Sequence, residues 1–464
     1  MAGIYGVFNV GKQALLTQQE AINVTAHNIA NVDTEGYSRQ RVVTETAPSL
    51  TTNVGQIGTG VRVSGIERVY DRYLTYQISE ETESLGKWEA KKQALEMAEV
   101  VFNESSGAGL NESMSEFWGA WQDLANDPSG QTERQVLLGS AESLANNFQQ
   151  VYNDLSEIQD DVDGYITQAV DDINAKAAQI GELNEKIVQI EASGDNANDY
   201  RDERDLLVKA LSEMLDVTGS EEEDGSITIE LGDGGKLVDG SIVRELSTHT
   251  NDDEFNDVIW ADDEDDPPNP LNDSISGGKV SGWLEVRDAT IPDYKTNMET
   301  LVDTIISEVN TLHAAGYGLD GSTGNNFFVG TLENNDFGVS STISADVNKI
   351  AASATEDGVP GDNGNAVAIA DLQNSLTMST NTATFDDYYN SIVSTVGYDV
   401  QQAVFSHDSQ EAMVNYLEDY RESISGVSLD EEMINLTEQE SAYQAAAKLI
   451  STVDEMLSVL LNMV

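Results

Sequence analysis

The sequence predicts an α+β fold that is mostly helical and elongated. Both ends of the chain place apolar residues at the alternating three- and four-residue spacing of a coiled coil. A similar pattern continues from Leu137 to Ile187 in the middle of the chain. Strict alternation of apolar and polar residues at 226–231 indicates a β-hairpin. We therefore expect a terminal α-helical coiled coil, a body of long bundled helices and a small inserted β-domain.

The N-terminal helix is predicted from a seven-residue repeat of Phe8, Leu15, Ile22 and Ile29, with Leu16 adjoining the same face. One short amphipathic helix is rarely stable alone in water, so this apolar seam needs a partner. The helix at the other end of the chain is the expected partner. Periodicity alone allows equally that both helices complete one globular core.

The body is predicted from the same kind of spacing. Extended or hairpin structure is expected to about residue 72, followed by helices that include 200–215, 291–312 and 389–424. The seam from Leu137 to Ile187 predicts one helix on the order of 80 Å long at ~1.5 Å per residue. Three glycines inside it permit a bend. The aromatic residues Trp88, Phe117, Trp118 and Trp121 are expected to lie in the core.

The β-domain is expected between about residues 216 and 285. Its strands are placed at 226–231, 237–238, 243–246, 258–260 and 280–284, and the acidic loop 262–270 should be exposed. Short strands are also expected before residue 365. The predicted domains are the terminal coiled coil (1–40 with 426–464), the helical body with some β-structure (41–215 with 286–425) and the inserted acidic β-domain (216–285).

The C-terminal helix is predicted to begin after Ser428, which forms a capping box with Glu431. Gly426 suits the end of the preceding helix. The seam widens toward the end, as a 3.6-residue helix does against a seven-residue repeat. Its apolar or small positions are Leu429, Met433, Leu436, Tyr443, Ala447, Ile450, Val453, Leu457 and Leu461.

Composition excludes several classes of partner. The formal net charge is −60, from 83 acidic and 23 basic residues, so nucleic acid and anionic membranes should be repelled. The chain has no cysteine, which excludes disulfides and thiolate metal sites. Its start is unlike a Sec-type signal peptide, and no stretch reaches the ~18 apolar residues of a membrane span. The nearly neutral termini fit ends that pack, while a saline habitat is a further hypothesis for the acidity.

Catalytic, metal and cofactor sites are not expected. The chain has no G-x-S-x-G, P-loop, H-E-x-x-H or dinucleotide-binding motif. Its four histidines are scattered, and His27 and His313 are expected to pack or cap. The acidic run 262–266 lacks the alternating ligands and central glycine of an EF-hand loop, so a solvated loop is the preferred interpretation.

Three segments resemble one known family. Residues 26–40, AHNIANVDTEGYSRQ, are similar to the N-terminal signature of axial proteins of the bacterial flagellum. The segments GVSLDEEM (426–433), AYQAAAK (442–448) and ISTVDEML (450–457) resemble the flagellar hook-associated protein 1 family. The segment WLEVRD (283–288), with Asn310, His313 and 321–328, is also like that family.

The resemblance implies a structural, non-enzymatic subunit that joins the flagellar hook to the filament. It implies type III export without cleavage and an extracellular position in the flagellum. The implied partners are other copies in a ring, the hook protein, a second junction protein (hook-associated protein 3) and an export chaperone. The N-terminal seam would serve assembly, and the C-terminal seam would serve assembly and chaperone contact. No cofactor is implied.

The signature itself is interpreted as geometry that redirects the chain. Asn28 and Asn31 are expected to cap a helix end, and Gly36 to permit a positive-φ turn that also includes Thr34 and Tyr37. Two alternatives stay open at this point. One is another axial subunit, from the hook or the distal rod; the other is an acidic secreted calcium-binding or hydrolytic protein.

Overall fold

The computed structural model describes residues 2–52, 55–103 and 109–462 and is mainly helical, as predicted. Its α-helices are α1 (Ala2–Ala30), α2 (Arg72–Val101), α3 (Leu110–Asn126), α4 (Gln131–Glu191), α5 (Asn198–Ser212), α6 (Gly278–Glu285), α7 (Ile291–Ala315), α8 (Ser341–Ala345), α9 (Gly364–Ala370), α10 (Phe385–Ser425) and α11 (Leu429–Asn462). No helix within the described ranges is long and apolar enough to cross a membrane.

The strands are short, and all pair antiparallel. They are β1 (Gln40–Thr46), β2 (Leu50–Thr52), β3 (Gly55–Ile57), β4 (Val61–Arg68), β5 (Val217–Glu221), β6 (Ile227–Leu231), β7 (Lys236–Asp239), β8 (Ile242–Val243), β9 (Leu246–Thr250), β10 (Asn256–Trp260), β11 (Phe328–Val329) and β12 (Gly338–Val339). The pairing β1–β4, continued by β2–β3, confirms the hairpin predicted before residue 72.

Helix α4 is the axis of the body. It runs for 61 residues without a break, about 90 Å at 1.5 Å per residue, and so exceeds the predicted length. Gly139 and Gly164 face open space, so neither one marks a close approach. At Gly181 an added Cβ would lie 2.9 Å from Val243, so this glycine lets β8 pack closely on the helix. Helices α3, α5, α6 and α7 pack along the same axis.

The predicted aromatic core forms around α3. Phe117, Trp118 and Trp121 are fully buried, and Trp118 stacks on Phe385 of α10 with ring centroids 5.7 Å apart. Trp88 on α2 is only partly buried and packs against the apolar cluster of the body. His313 is buried among these rings, and burial lowers the pKa of its imidazole to about 4. The neutral ring bonds the Asn325 carbonyl and the Ala351 N–H, which confirms a packing role.

The β-structure packs onto α4. Strands β5 to β8 form one sheet, and β9 pairs with β10. The Asn184 side chain of α4 donates to the carbonyls of Ile227 and Gly240, and Asn174 donates to the carbonyl of Leu246. Buried residues of these strands, such as Ile229 and Leu237, belong to the same apolar cluster as the helices. The β-structure therefore shares its core with the body.

Two predicted strands are wrong. Residues 243–246 do not form one strand, because β8 ends at Val243 and β9 begins at Leu246 in another sheet. Residues 280–284 belong to helix α6, which packs against α2. At Gly282 an added Cβ would collide with the Lys87 carbonyl of α2, so this glycine permits close helix packing. A short apolar run has no decisive period, so the sequence pattern alone does not distinguish a buried helix from a buried strand. The loop 262–270 is largely exposed, as predicted.

Candidate functional site

The two ends of the chain pair as antiparallel helices. Asn28 of α1 bonds Glu432 near the start of α11. Toward the other end of the pair, Gly11 packs against Ile450, where an added Cβ would lie 2.9 Å from Ile450 Cγ1. The buried side chains of Val24, Ala446 and Val453 lie outside the apolar cluster of the body. The two helices therefore form a layer separate from the body, which agrees with the predicted terminal coiled coil.

Helix α1 presents its predicted seam to α11. Gly11 lies three residues after Phe8 and four before Leu15, so these residues share its helical face. Phe8, Leu15, Ile22 and Ile29 are all half-buried. Leu16 is 51% exposed and turns away from the seam. The more buried positions Thr17, Thr25 and Asn28 escaped the periodicity analysis because they are polar.

Helix α11 carries more apolar surface than α1 covers. Leu436, Ile450 and Leu457 are half-buried and Val453 is buried. Leu429, Met433, Tyr443, Ala447 and Leu461 of the predicted seam are exposed. At 100° per residue these exposed positions lie mainly to one side of the line through Glu432, Ala446 and Val453. Ile434, Met456 and Val459 lie exposed on the other side.

Asn28 is the hub where the helix pair meets the body. It is 1% exposed, and its amide group makes four hydrogen bonds. Its Nδ2 donates to the Gln40 carbonyl at 2.9 Å and to Glu432 Oε2 at 3.1 Å. Its Oδ1 accepts from the Gln40 N–H at 2.9 Å and from the Tyr37 hydroxyl at 2.8 Å. The expectation that Asn28 caps α1 is therefore wrong: its side chain binds β1 and α11 instead.

The other signature residues form the turn between α1 and β1. Asn31 Nδ2 donates to the His27 carbonyl at 3.0 Å, so Asn31 does cap the helix end. Thr34 Oγ1 donates to Asn31 Oδ1 at 3.1 Å. Gly36 has φ 76°, the predicted left-handed conformation. Burial, reinforced by the nearby carboxylates of Asp199 and Asp202, raises the pKa of Tyr37 and keeps its hydroxyl a donor.

Gly36 also allows a close approach to α5. An added Cβ at this position would lie 2.5 Å from Cγ of Leu206. The turn is held on the same helix by Asp202, which accepts from the Ser38 N–H at 2.9 Å. Arg68 of β4 donates to Asp202 and Asp205 at 2.7 and 2.8 Å. The turn is thus fixed between the helix pair and the body.

Arg39 is a connecting residue that sequence analysis missed. Its N–H donates to the Ser425 carbonyl at the end of α10, and its guanidinium pairs with Glu431 of α11 at 2.9 Å. Gly426 ends α10 in an extended conformation, and a side chain at this position would collide with the Glu422 carbonyl. No spacing pattern marks Arg39; only its place within the 26–40 signature pointed to it.

Two further features have potential ligand groups. His407, Asp408 and Glu411 on α10 bring three ligand atoms within 4.8 Å of one another, with the two acids exposed. A cleft of about 530 Å³ lies between α2, α5 and β5, lined by Tyr73, Tyr76 and Glu83 among others. Burial, with the charges of Asp216 and Glu80, raises the pKa of Glu83 to about 7. Neither feature adjoins the paired termini.

Family models for flagellar proteins match most of the chain. The flagellar hook-associated protein FlgK helical domain matches residues 95–328, half of the sequence. The C-terminal model of the flagellar basal body rod FlgEFG proteins matches 421–463, which includes α11. The flagella basal body rod protein model matches 8–37, which includes most of α1 and the turn. Both members of the helix pair thus match models of flagellar rod proteins.

Curated relatives extend over the full chain. Flagellar hook-associated protein 1 of Bacillus subtilis is 28% identical over 506 residues, covering 100% of this chain and 99% of its own length. The protein of the same name from Escherichia coli is 26% identical over 544 residues, covering 98% and 99%. The solved flagellar hook junction protein FlgK of Burkholderia pseudomallei has a TM-score of 0.66 at 17% identity. That likeness covers 75% of this chain and 100% of the solved chain, and shows the same fold.

Proposed function

Because the chain belongs to the flagellar hook-associated protein 1 family, we propose that it is a structural subunit that joins the flagellar hook to the filament. It polymerises through the paired helices α1 and α11. The observation that supports this mechanism is the apolar surface that the helix pair leaves uncovered in one copy of the chain. Membership of the family places the protein in the bacterial flagellum.

The uncovered surface is extensive. Residues of the pair between 38% and 78% exposed include Tyr5, Val7, Leu16, Leu429, Met433, Ile434, Tyr443, Leu449, Met456, Val459 and Leu461. Burial of apolar surface contributes roughly 25 cal/mol per Å². Contiguous exposed apolar surface on a soluble protein is typical of an interaction site. Neighbouring copies in a lattice would cover these side chains.

Electrostatics also favour contact at the free end of the pair. Residues 2–19 of α1 and 441–462 of α11 contain two lysines, Lys12 and Lys448, and two acids, Asp454 and Glu455. Their formal charges therefore cancel, in a chain whose net charge is −60. Self-repulsion opposes the association of highly charged copies. It is smallest at this end of the helix pair.

The hub around Asn28 gives the pair a fixed direction relative to the body. Asn28, Arg39 and Asp202 connect several elements at this hub. These elements are the turn, strand β1, helix α5 and the two C-terminal helices α10 and α11. A subunit in a helical lattice must present its inner and outer parts at a set angle. We divide the chain into a terminal coiled-coil domain, a helical body and an acidic β-domain. In this division the hub lies at the boundary between the coiled-coil domain and the body.

The remaining partners follow from the same assignment. We place the export chaperone on the exposed face of α11 that includes Leu429, Met433 and Tyr443, because this face is free in the single chain. Type III export then precedes assembly outside the cell. The hook protein and hook-associated protein 3 are the proposed neighbours on either side of the ring. A structural, non-enzymatic role is part of the proposal.

The test is self-association of the purified chain, measured by sedimentation velocity and electron microscopy over increasing concentration. Met433→Asp combined with Tyr443→Asp should abolish polymers, because two charges would enter the apolar contact. Circular dichroism should stay unchanged, since both side chains are exposed. Ile242→Asp is the matched control, because Ile242 is 72% exposed but lies on β8 of the body. Polymers that form equally well from the double variant would refute polymerisation through α11.

A further inference from the structure

Helix α10 carries an exposed face that its packing in the body does not use. Its solvent-facing residues recur mainly at alternating intervals of four and three, and all are exposed: Tyr398, Gln402, Phe405, Ser409, Ala412, Tyr416, Tyr420 and Ser423. We call this set the α10 stripe. Phe405 is 74% exposed, Tyr416 65% and Tyr398 63%. None of the eight residues is charged, in a chain whose net charge is −60.

One side of the α10 stripe is acidic. Asp408 and Asp419 lie exposed beside it, and Glu411 and Glu422 lie exposed further round the helix on the same side. The nearby cation, Arg421, already donates to Glu418 at 3.0 Å. The spacing of the stripe is that of a seam between packed helices. A complementary partner is therefore a helix whose own apolar face has no acids and carries positive charge.

Helix α1 has such a face on the side turned away from α11. Its residues recur at alternating intervals of four and three, and all are exposed: Tyr5, Asn9, Lys12, Leu16, Gln19, Asn23, Ala26 and Ala30. We call this set the α1 outer face. Tyr5 is 58% and Leu16 51% exposed. Lys12 carries its one charge, and the ion pairs of the described residues do not include this lysine.

We propose that the α1 outer face of one copy docks on the α10 stripe of a second copy. This inference rests on the proposed function, because it names a contact by which the subunits polymerise. Each face spans 26 residues of its helix, from 5 to 30 and from 398 to 423, or about 38 Å at 1.5 Å per residue. The two faces therefore match in length, in repeat and in charge.

The charges of the two faces also argue against a contact between two identical faces. Two α10 stripes facing each other would place the acids of both copies near one contact, and like charges disfavour association. Two different faces of one chain form a heterologous contact, which each copy repeats with the next. Such contacts generate rings when the rotation closes and helical filaments when it does not. Both outcomes agree with a subunit of an axial structure.

Single cysteines test the contact directly, because the natural chain has none. Gln19→Cys and Ser409→Cys place thiols near the middle of the two faces, so they meet whether the helices run parallel or antiparallel. A mixture of these two variants with added oxidant should form the mixed disulfide about tenfold faster than a mixture of Gln19→Cys with Asn415→Cys. Asn415 is exposed on α10 but outside the α10 stripe. Equal rates, or a predominance of Ser409→Cys homodimers, would overturn the proposal.

A second variant separates this contact from the proposed function. Phe405→Asp with Tyr416→Asp should weaken self-association by about tenfold or more, since large aromatic side chains dominate the energy of interfaces. Both side chains are exposed, so the fold should be unaffected, and Ile242→Asp again serves as control. If this variant polymerises like the natural chain while the α11 variant does not, docking on α10 is wrong and the junction function stands. If the natural chain neither polymerises nor cross-links, both are wrong.

Discussion

Asn28 shows how one buried polar side chain fixes the relation of two helices and a strand. An isolated polar group in an apolar site costs free energy, but Asn28 has all its hydrogen-bonding groups paired. Its partner Glu432 is only 2% exposed. A slip of one residue along either helix would break the hydrogen bond between Asn28 Nδ2 and Glu432 Oε2 and leave these two buried atoms unpaired. A buried polar pair of this kind sets register in a coiled coil, at some cost in stability.

Gly36 provides the first prediction at the residue scale. Gly36→Val should hinder assembly, because a side chain there would meet both a positive φ and the Leu206 side chain. The body should stay folded. The strain of the left-handed conformation is about 1–2 kcal/mol, to which the steric conflict adds. Gly194→Val is the matched control, since Gly194 has φ 90° but faces open space. Polymer formation and thermal unfolding are the measurements, and normal polymers from Gly36→Val would contradict the role of the turn.

Glu83 provides a prediction about pH. Its pKa in the folded chain is raised to about 7, so the folded state holds this proton more tightly than the unfolded state does. The stability that protonated Glu83 contributes is thus fully present below the pKa that this carboxyl has in the unfolded chain. It is lost as the pH rises through the folded pKa of about 7. Glu83→Gln should stabilise the protein at about pH 8 by about 1–2 kcal/mol, once solvent screening is allowed for. The gain should vanish near pH 4.5.

Urea denaturation of both forms at several pH values measures this difference. Glu116→Gln is a suitable comparison, because Glu116 is exposed on α3 and lies outside the cleft that Glu83 lines. A gain for Glu83→Gln that does not change with pH would exclude titration of this carboxyl as the cause.

At the scale of elements, the helix pair and the body differ in how completely they are covered. Helix α4 buries a continuous line of apolar residues along its whole length. The seam of α1 is only half-buried, because a pair of helices covers facing positions alone. Cooperative units with little buried apolar surface open more readily than a core. The pair is therefore the part of the molecule that assembly would stabilise.

Hydrogen exchange on the dilute chain tests this difference between elements. Amides of residues 4–19 and 443–460 should exchange faster than those of α4, because few apolar contacts hold them. In polymers the same amides should become protected, while α4 serves as an internal reference that changes little. Full protection of both terminal helices in the dilute chain would mean that the pair is already complete without neighbours.

At the scale of the whole molecule, charge sets the response to salt. A net charge of −60 gives strong self-repulsion, which destabilises a compact state. Salt shortens the range of this repulsion, to about 10 Å at 0.1 M. The melting temperature should therefore rise as sodium chloride is increased from about 0.01 M to about 1 M.

The magnitude of this effect also tests the saline-habitat hypothesis. Scanning calorimetry measures the melting temperature, with sucrose at matched viscosity as a control for general solvent effects. A melting temperature that does not change with salt would show that ion pairs such as Arg287 with Asp163 offset the repulsion. It would also remove the support for adaptation to salt.

The sequence was sufficient to place the long helices and strand β6, which have a regular period. The seams of α4, α10 and α11, the strand β6 and the core position of Trp118 follow from local spacing, because burial on one side imposes that spacing. The 26–40 signature and the positive φ at Gly36 also followed from residue type. The distribution of charge along the sequence indicated that the acidic middle of the chain repels other copies and that the nearly neutral ends can pack.

Only the tertiary structure decided which groups meet. Asn28 and Glu432 are 404 residues apart, and nothing in their local sequence shows that one binds the other. The short run 280–284 is a helix that packs closely on α2 at Gly282, and α11 leaves part of its seam exposed because α1 covers one side. Local spacing reports how a segment is buried, whereas the identity of its partner depends on packing between distant segments, where polar groups must find partners before they can be buried.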